Sequence, residues 1–190
     1  MTDKYAIRVL KFCTDCGGKL EHIVPEGEHI PRYVCPNCGK VHYQNPKNIV
    51  GTIPVFGDEV LLCRRAIEPG YGLWTLPAGH QEMKETTGQG AERETREEAG
   101  VEVTTADPYI QMDLPFASQT HMYFLGSMKN RDFQPGEESL ECRFFKEEDI
   151  PWDQIAFGTV RKSLETFFED RKKGRFEFHY FTKFRPGLDW

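Results

Sequence analysis

Four cysteines and three glutamates have the type and spacing to hold metal ions, in two separate groups. Cys13-x-x-Cys16 and Cys35-x-x-Cys38 are separated by eighteen residues, and glycine follows each pair, Gly17 and Gly18 after the first and Gly39 after the second. Thiolate sulfur is a preferred donor for Zn²⁺, and two Cys-x-x-Cys turns at this separation have zinc-ribbon spacing. Each turn must bend until two sulfurs reach one ion, and glycine tolerates the positive φ that such a bend needs. A segment this short cannot bury enough apolar surface to fold alone, so a structural Zn²⁺ on all four thiolates would supply the missing stability. Two disulfides or a redox pair are the alternatives. A redox site needs only one Cys-x-x-Cys, in a βαβ pattern, so the duplicated spacing favours zinc. Cys63 and Cys142 lie in strand-like apolar runs and read as buried free thiols.

The second group is Glu94, Glu97 and Glu98. They sit in a segment that reads as a helix opening at Thr86 or Thr87, where Thr86-x-x-Gln89 fits a capping box and Gly100 stands where a left-handed C-terminal cap belongs. On a helix the three carboxylates fall within an arc of about 100°, beside a stripe of small residues, Ala91, Thr95 and Ala99. Like charges at this spacing cost on the order of 0.2–0.5 kcal/mol each, with Arg93 offering partial relief. The cluster becomes useful around a hard divalent cation, Mg²⁺ or Mn²⁺, which prefers oxygen donors. A solvated acidic face is the plain alternative for three glutamates taken alone.

Reading back from the helix gives Gly79, five residues, Glu85, seven residues, then Arg93-Glu94-Thr95-x-Glu97-Glu98-x-Gly100-Val101. This stretch resembles the box of the Nudix hydrolases, G-x5-E-x7-R-E-U-x-E-E-x-G-U with U aliphatic. Every charged and glycine position is present, and Thr95 departs from the aliphatic position at an expected small cost in stability. The resemblance implies that Glu94, Glu97 and Glu98 bind catalytic Mg²⁺ or Mn²⁺, that Gly79 offers a backbone carbonyl to metal, and that Glu85 and Arg93 pair to fix loop against helix. It also implies metal-assisted attack of water on a nucleoside diphosphate linked to another group. In this family the general base is a box glutamate or one on a later loop, and Glu138 and Glu141 in Pro135-Gly136-Glu137-Glu138-Ser139-Leu140-Glu141 are the candidates. An ordinary polar turn is the alternative for that loop.

A zinc ribbon before such a domain is similar to the NADH pyrophosphatases. Those carry S-Q-P-W-P-F-P beyond the box, where this chain has Gln111-Met112-Asp113-Leu114-Pro115-Phe116-Ala117-Ser118-Gln119. The resemblance is closer to the plant plastid-type FAD/ADP-ribose pyrophosphatases, through Phe12-Cys13, His42 to Lys47, Gly72 to Gly79 with Ala78 before the box glycine, Glu138 to Arg143, and Lys172-Lys173-Gly174. It implies hydrolysis of FAD or ADP-ribose to two monophosphates. An NADH pyrophosphatase and a non-enzymatic nucleotide sensor with a nucleic-acid-reading module are the alternatives, the intact carboxylate set favouring an enzyme. Tyr71, Trp74 and Phe116 would wall a flavin or adenine ring, with Arg64 or Arg65 for phosphate, although Trp74 is the more natural core residue and the arginines surface ion-pair partners.

Positioning these groups requires a fold. A chain of 190 residues, 38% hydrophobic and 28% charged, suits one globular domain with a small appendage. The expected class is α/β, an α/β/α sandwich around a mixed sheet preceded by a small zinc-ribbon module, with the ribbon at 1–45 and the larger domain at 46–190. Residues 42–47 read as a linker. Strands are expected at Asn48 to Phe56 and Val60 to Arg64, forming a hairpin, then at Leu73 to Leu76, Val101 to Thr105, Tyr109 to Asp113, His121 to Ser127 and Leu140 to Phe145. A second helix is expected from Gly158 to Lys173 with Gly174 as its stop. A net charge of −6 argues against general adhesion to phosphate backbones or anionic lipid. Lys11, Lys19, Arg32, Lys40 and Tyr33 are scattered along the ribbon, which argues against nucleic acid as a partner. No run approaches the roughly 20 apolar residues that span a bilayer, and Met1 to Phe12 has no secretory character, so the cytoplasm is the expected compartment. The aromatic tail from Phe176 to Trp190 suggests packing on its own domain or on a second copy in a homodimer.

Overall fold

The computed structural model describes residues 9–187. The first eight residues and 188–190, which include the end of the aromatic tail, lie outside the described residues. The chain divides between Pro46 and Lys47 into two compact units.

The smaller unit is an antiparallel sheet of three short strands, β1 (Glu21–Ile23), β2 (Arg32–Val34) and β3 (Val41–His42), in the order β1-β2-β3. Its core is nearly all sulfur. Cys13 and Cys35 are buried, whereas Ile23, Val24 and Ile30 are exposed. His42, expected in a linker, instead ends β3 and is buried, with Nε2 3.3 Å from Cys13 Sγ.

The larger unit is a mixed sheet in the order β10-β5-β4-β9-β8-β11. Its strands are β4 (Lys47–Phe56), β5 (Glu59–Arg65), β8 (Val103–Leu114), β9 (Gln119–Met128), β10 (Ser139–Phe145) and β11 (His179–Thr182), and two short strands, β6 (Trp74–Thr75) and β7 (Ala78–His80), pair with β5 and β4. β4 runs parallel to β9, and β11 parallel to β8. The hairpin of β4 and β5 turns on Gly57-Asp58, with Val55 opposite Val60 and Phe56 opposite Glu59. The two expected strands at 101–113 are one strand, because the turn-like Ala106-Asp107-Pro108 is absorbed as a bulge whose register shifts on either side of Pro108.

Strand alternation divides the buried side chains between two faces. Val60 and Leu62 join the core that α2 (Gly158–Lys173) fills with Val160, Leu164, Phe167 and Phe168. Leu61 and Cys63 join Cys142, Phe144 and the C-terminal end of α1 (Thr87–Ala99) through Ala99 and Val101. One helix thus covers each face of a mixed sheet, as the sequence pattern predicts. Among the described residues no helix is long and apolar enough to cross a membrane.

Candidate functional site

In the small unit the two Cys-x-x-Cys turns are built alike. Gly17 N–H donates to the Cys13 carbonyl and Gly39 N–H to that of Cys35, with both glycines at positive φ. The four Sγ atoms lie within 4.8 Å of one another, with Cys16 and Cys35 at 3.4 Å and Cys13 and Cys38 at 3.7 Å. Four sulfurs about 2.3 Å from one tetrahedral Zn²⁺ would stand about 3.8 Å apart, so the donor set and its size fit zinc. N–H groups of Cys16 and Asp15 lower the Cys13 thiol. At Cys35 desolvation opposes, but the N–H groups of Cys38 and Asn37 and its sulfur neighbours prevail and bring the thiol to about 7. Both effects favour the thiolate that a metal requires. At Cys16 and Cys38 the N–H groups of Gly18 and Lys40 are outweighed by neighbouring sulfurs and desolvation, which raise both thiols, Cys16 to about 12, so that a bound cation is what would let all four ionise together.

In the larger unit β7, the loop after it and α1 converge. Thr86 caps α1, its hydroxyl accepting from Gln89 N–H while the Gln89 side chain accepts from Thr86 N–H, and Gly100 closes the helix in the left-handed conformation. Arg93 organises the loop: Nε and Nη2 grip both Glu85 oxygens at 3.1 and 2.9 Å, Nη2 donates to the His80 carbonyl, and Nη1 donates to Glu94 and Glu97 at 2.8 and 2.9 Å. Glu85 also accepts from Glu82 N–H at 2.7 Å. Its carboxyl is held below the usual range, first by Arg93.

Gly79 faces Glu94 so closely that an added Cβ would come within 2.4 Å of that carboxylate. The carbonyl-bearing strand and the acidic helix therefore meet with no room for a side chain between them. Glu98 is 8% exposed and accepts from Ala78 N–H at 3.3 Å. Desolvation pushes its carboxyl up to about 8, the charges of Glu94 and Glu138 adding to it and Ala78 N–H and Arg65 opposing. Desolvation likewise raises Glu94, against the pull of Arg93. Among the described residues, the four cysteines are the one group of three or more His, Cys, Asp or Glu side chains whose ligand atoms gather as a metal would need. Glu94, Glu97 and Glu98 share the helix face but do not meet at a point: the first two turn to Arg93, the third to Ala78. The donors fit Mg²⁺ or Mn²⁺ by chemistry, two desolvated carboxylates beside a more exposed Glu97, because a divalent cation relieves the charge that burial opposes.

Thr95 is fully buried, and its hydroxyl donates to the Ala91 carbonyl and lies 2.6 Å from the Thr52 hydroxyl on β4. Its departure from an aliphatic residue is thus matched by a polar partner in the sheet. Of the two loop glutamates, Glu138 lies near enough for its charge to raise Glu94 and Glu98, whereas Glu141 faces Arg64 across β5 and β10 at 3.4 Å. Sequence reasoning missed Gly136. Its N–H donates to the Glu98 carbonyl, and a Cβ there would stand 1.8 Å from the Glu97 carbonyl oxygen. A Pro-Gly pair before acidic residues was its only signal.

Trp74 is a core residue, edge-on to Phe145 with ring centroids 4.9 Å apart, and Phe116 packs against the same core, while Tyr71 is exposed. Arg64 donates to the Gly72 carbonyl, and Arg65 lies over the Phe157 ring and donates to the Pro69 carbonyl. Cys63 and Cys142 are buried free thiols, as expected, with sulfurs 3.5 Å apart.

The NUDIX domain model matches residues 46–170, and the Nudix N-terminal zinc-ribbon model matches residues 11–44. A NUDIX hydrolase of known crystal structure from Nitrosomonas europaea is 48% identical, with a TM-score of 0.89 over 93% of this chain and 100% of that one. The NAD-capped RNA hydrolase NudC of Pseudomonas aeruginosa (strain LESB58) is 28% identical over 144 residues, 74% of this chain and 49% of its own. The human mitochondrial NAD(P)H pyrophosphatase NUDT13 is 26% identical over 171 residues, 88% of this chain and 45% of its own. The chain spans about half the length of these curated relatives. A box with every charged and glycine position present on a capped helix, a mixed sheet with a helix on each face and a matched region of most of the chain lead to one assignment: this chain belongs to the Nudix hydrolase family, with the family's N-terminal zinc ribbon ahead of its NUDIX domain.

Proposed function

We propose that the chain hydrolyses the diphosphate of a dinucleotide of the NADH type, releasing two nucleoside monophosphates. The observation that supports metal-assisted hydrolysis is the meeting of Gly79 with Glu94 and buried Glu98 on a helix locked by Arg93 and Glu85, and the choice of dinucleotide rests on the relatives. Glu94, Glu97, Glu98 and the Gly79 carbonyl would hold Mg²⁺ or Mn²⁺. When bound, the ion offsets charge on the diphosphate and lowers the pKa of the attacking water. Arg93 keeps the loop seated on α1, so that the carboxylates keep one face. We take Glu138, exposed and near enough for its charge to act on Glu94 and Glu98, as the group that would accept the proton from water, since Glu141 is instead paired with Arg64.

The relatives named for NAD-capped RNA and for NAD(P)H support the NADH-type reading ahead of the FAD or ADP-ribose reading drawn from the plant plastid-type resemblance. The relatives named for NAD-capped RNA also weigh against setting nucleic acid aside, since a substrate of that kind carries a strand. The FAD or ADP-ribose reading keeps one supporting observation. Where NADH pyrophosphatases have S-Q-P-W-P-F-P, this chain makes a short 3₁₀ turn from Pro115 to Ala117 with Phe116 directed into the core. Exposed Phe176, Phe178, Tyr180 and Phe184 support a homodimer, and the cytoplasm stays the proposed compartment.

A panel of NADH, NAD⁺, FAD, ADP-ribose and nucleoside triphosphates with Mg²⁺ or Mn²⁺, its products separated by chromatography, tests the proposal. NADH should give two monophosphates at the highest kcat/KM. Faster FAD or ADP-ribose cleavage would select the second reading, and turnover of triphosphates alone would overturn both.

A further inference from the structure

The small unit carries a surface that the zinc site does not explain. A groove of about 560 Å³ is lined by Lys11, Phe12, Lys19, His22 and Tyr33 together with the aliphatic side chains of Val9, Leu10 and Leu20, with no carboxylate among these described residues. The first hairpin brings Phe12 opposite Lys19, and the pairing of β1 with β2 brings His22 opposite Tyr33. The two rings stack with centroids 4.7 Å apart. Strand alternation sends the acidic neighbour Glu21 to the other face. Phe12 is 61% exposed, an unusual state for a phenylalanine held beside the buried Cys13. Among the described residues the other cations of the unit are committed elsewhere, Lys40 to Asp15 and Arg32 to Glu28, whereas neither Lys11 nor Lys19 faces a carboxylate within 4.0 Å.

Residues scattered between positions 11 and 33 of the sequence are therefore gathered into an aromatic platform flanked by two cations. Flat rings that accept any base face, with lysines for the backbone, are the elements of single-stranded nucleic-acid binding. We propose that this groove holds single-stranded RNA, with bases against Phe12 and the His22–Tyr33 stack and phosphates at Lys11 and Lys19. The proposal rests on the dinucleotide reading in one respect, that a strand attached to such a substrate is what would bring RNA to this protein. Zinc has only the task of keeping the turn beneath Phe12 rigid.

Fluorescence anisotropy of the zinc-loaded full chain with a labelled oligoadenylate of about ten nucleotides, across about 50 to 200 mM salt, tests it. Tyr33→Ala should weaken binding by about 5- to 150-fold, as the loss of one stacking ring does. The double variant Lys11→Ala/Lys19→Ala should reduce the slope of log affinity against log salt by about 1.4, from about 0.7 per phosphate contact. Zinc content and thermal transition are checked for each variant, with His22→Ala as the second stacking variant if Tyr33→Ala loses zinc. Unchanged affinity in zinc-retaining variants would overturn the groove, as would equally tight capture of a polyglutamate peptide, which has charge and no bases. NADH turnover is measured on the same wild-type preparation. Turnover without oligonucleotide binding would sink the groove and leave the active-site reading, and binding that depends on the groove without turnover would do the reverse.

Discussion

Glu98→Gln separates the stability of this fold from its chemistry. Glu98 is 8% exposed, and burial lifts its carboxyl from 4.5 to about 8. Because the folded value lies above the unfolded one, the folded state keeps a proton that the unfolded chain releases, and stability falls as pH rises from about 4.5 to about 8. Each pKa unit corresponds to about 1.4 kcal/mol, so the interval sets a ceiling of about 5 kcal/mol, which water reaching the carboxyl lowers to a few. Glutamine has the same shape and no charge to desolvate. In buffer free of added divalent ions, with zinc retained, the two proteins should unfold together near pH 4.5, and the variant should be the more stable by a few kcal/mol at pH 8.5. For a unit of this size that is a rise in Tm of about 5 to 15 °C. Taking the difference between the two proteins cancels the titrating groups that Glu98 does not touch, including the zinc thiols, and leaves Glu98 with its coupling to Glu94 and Glu138. Mn²⁺ at neutral pH should raise the wild-type transition and leave the variant's nearly unchanged, since only the wild type offers the third carboxylate. The same substitution should slow Mg²⁺-dependent hydrolysis by about 100-fold or more. Parallel transitions of wild type and variant from pH 5 to pH 9 would refute the desolvation of Glu98, and an equal rise of both transitions with Mn²⁺ would refute its part in holding a cation.

Three further outcomes are expected. Thr95→Val should cost about 1–3 kcal/mol in chemical denaturation by leaving the buried Thr52 hydroxyl without its partner at 2.6 Å, and Thr52→Val/Thr95→Val should recover most of that; a double variant as weak as the sum of the singles would contradict the pairing. Gly136→Ala, whose new methyl would meet the Glu97 carbonyl oxygen, should cost about 1–3 kcal/mol and lower kcat with Mg²⁺ by displacing the end of α1, and wild-type kinetics in that variant would show that the loop does not position the helix. Cys35→Ser should release zinc, measured by a chromogenic chelator, and unfold the small unit; circular dichroism and proteolysis unchanged after zinc loss would remove its structural role.

Much of the site was legible along the chain because the interactions that define it are local. The capping box of Thr86 and Gln89, the left-handed Gly100 and the one-sided Glu94, Glu97 and Glu98 depend on helical periodicity alone. The four cysteines were readable for a similar reason, each turn being closed by its own backbone. The sandwich followed from strand alternation and two well-separated amphipathic helices. What sequence could not decide were meetings across distance. The match of Thr95 with Thr52, the clearance that Gly79 leaves for Glu94 and the seating of Gly136 on the Glu97 carbonyl join residues 15 to 43 positions apart. So does the division of Glu138 from Glu141, which turns on one of them facing Arg64 across a sheet. Lys11, Phe12, Lys19, His22 and Tyr33 look dispersed in sequence and become one surface only when hairpins pair them. Local dihedral preference and periodicity act over a few residues and are written in composition and spacing. Register, burial and the pKa of Glu98 arise from which surfaces exclude water together, and that was decided only when the chain closed on itself.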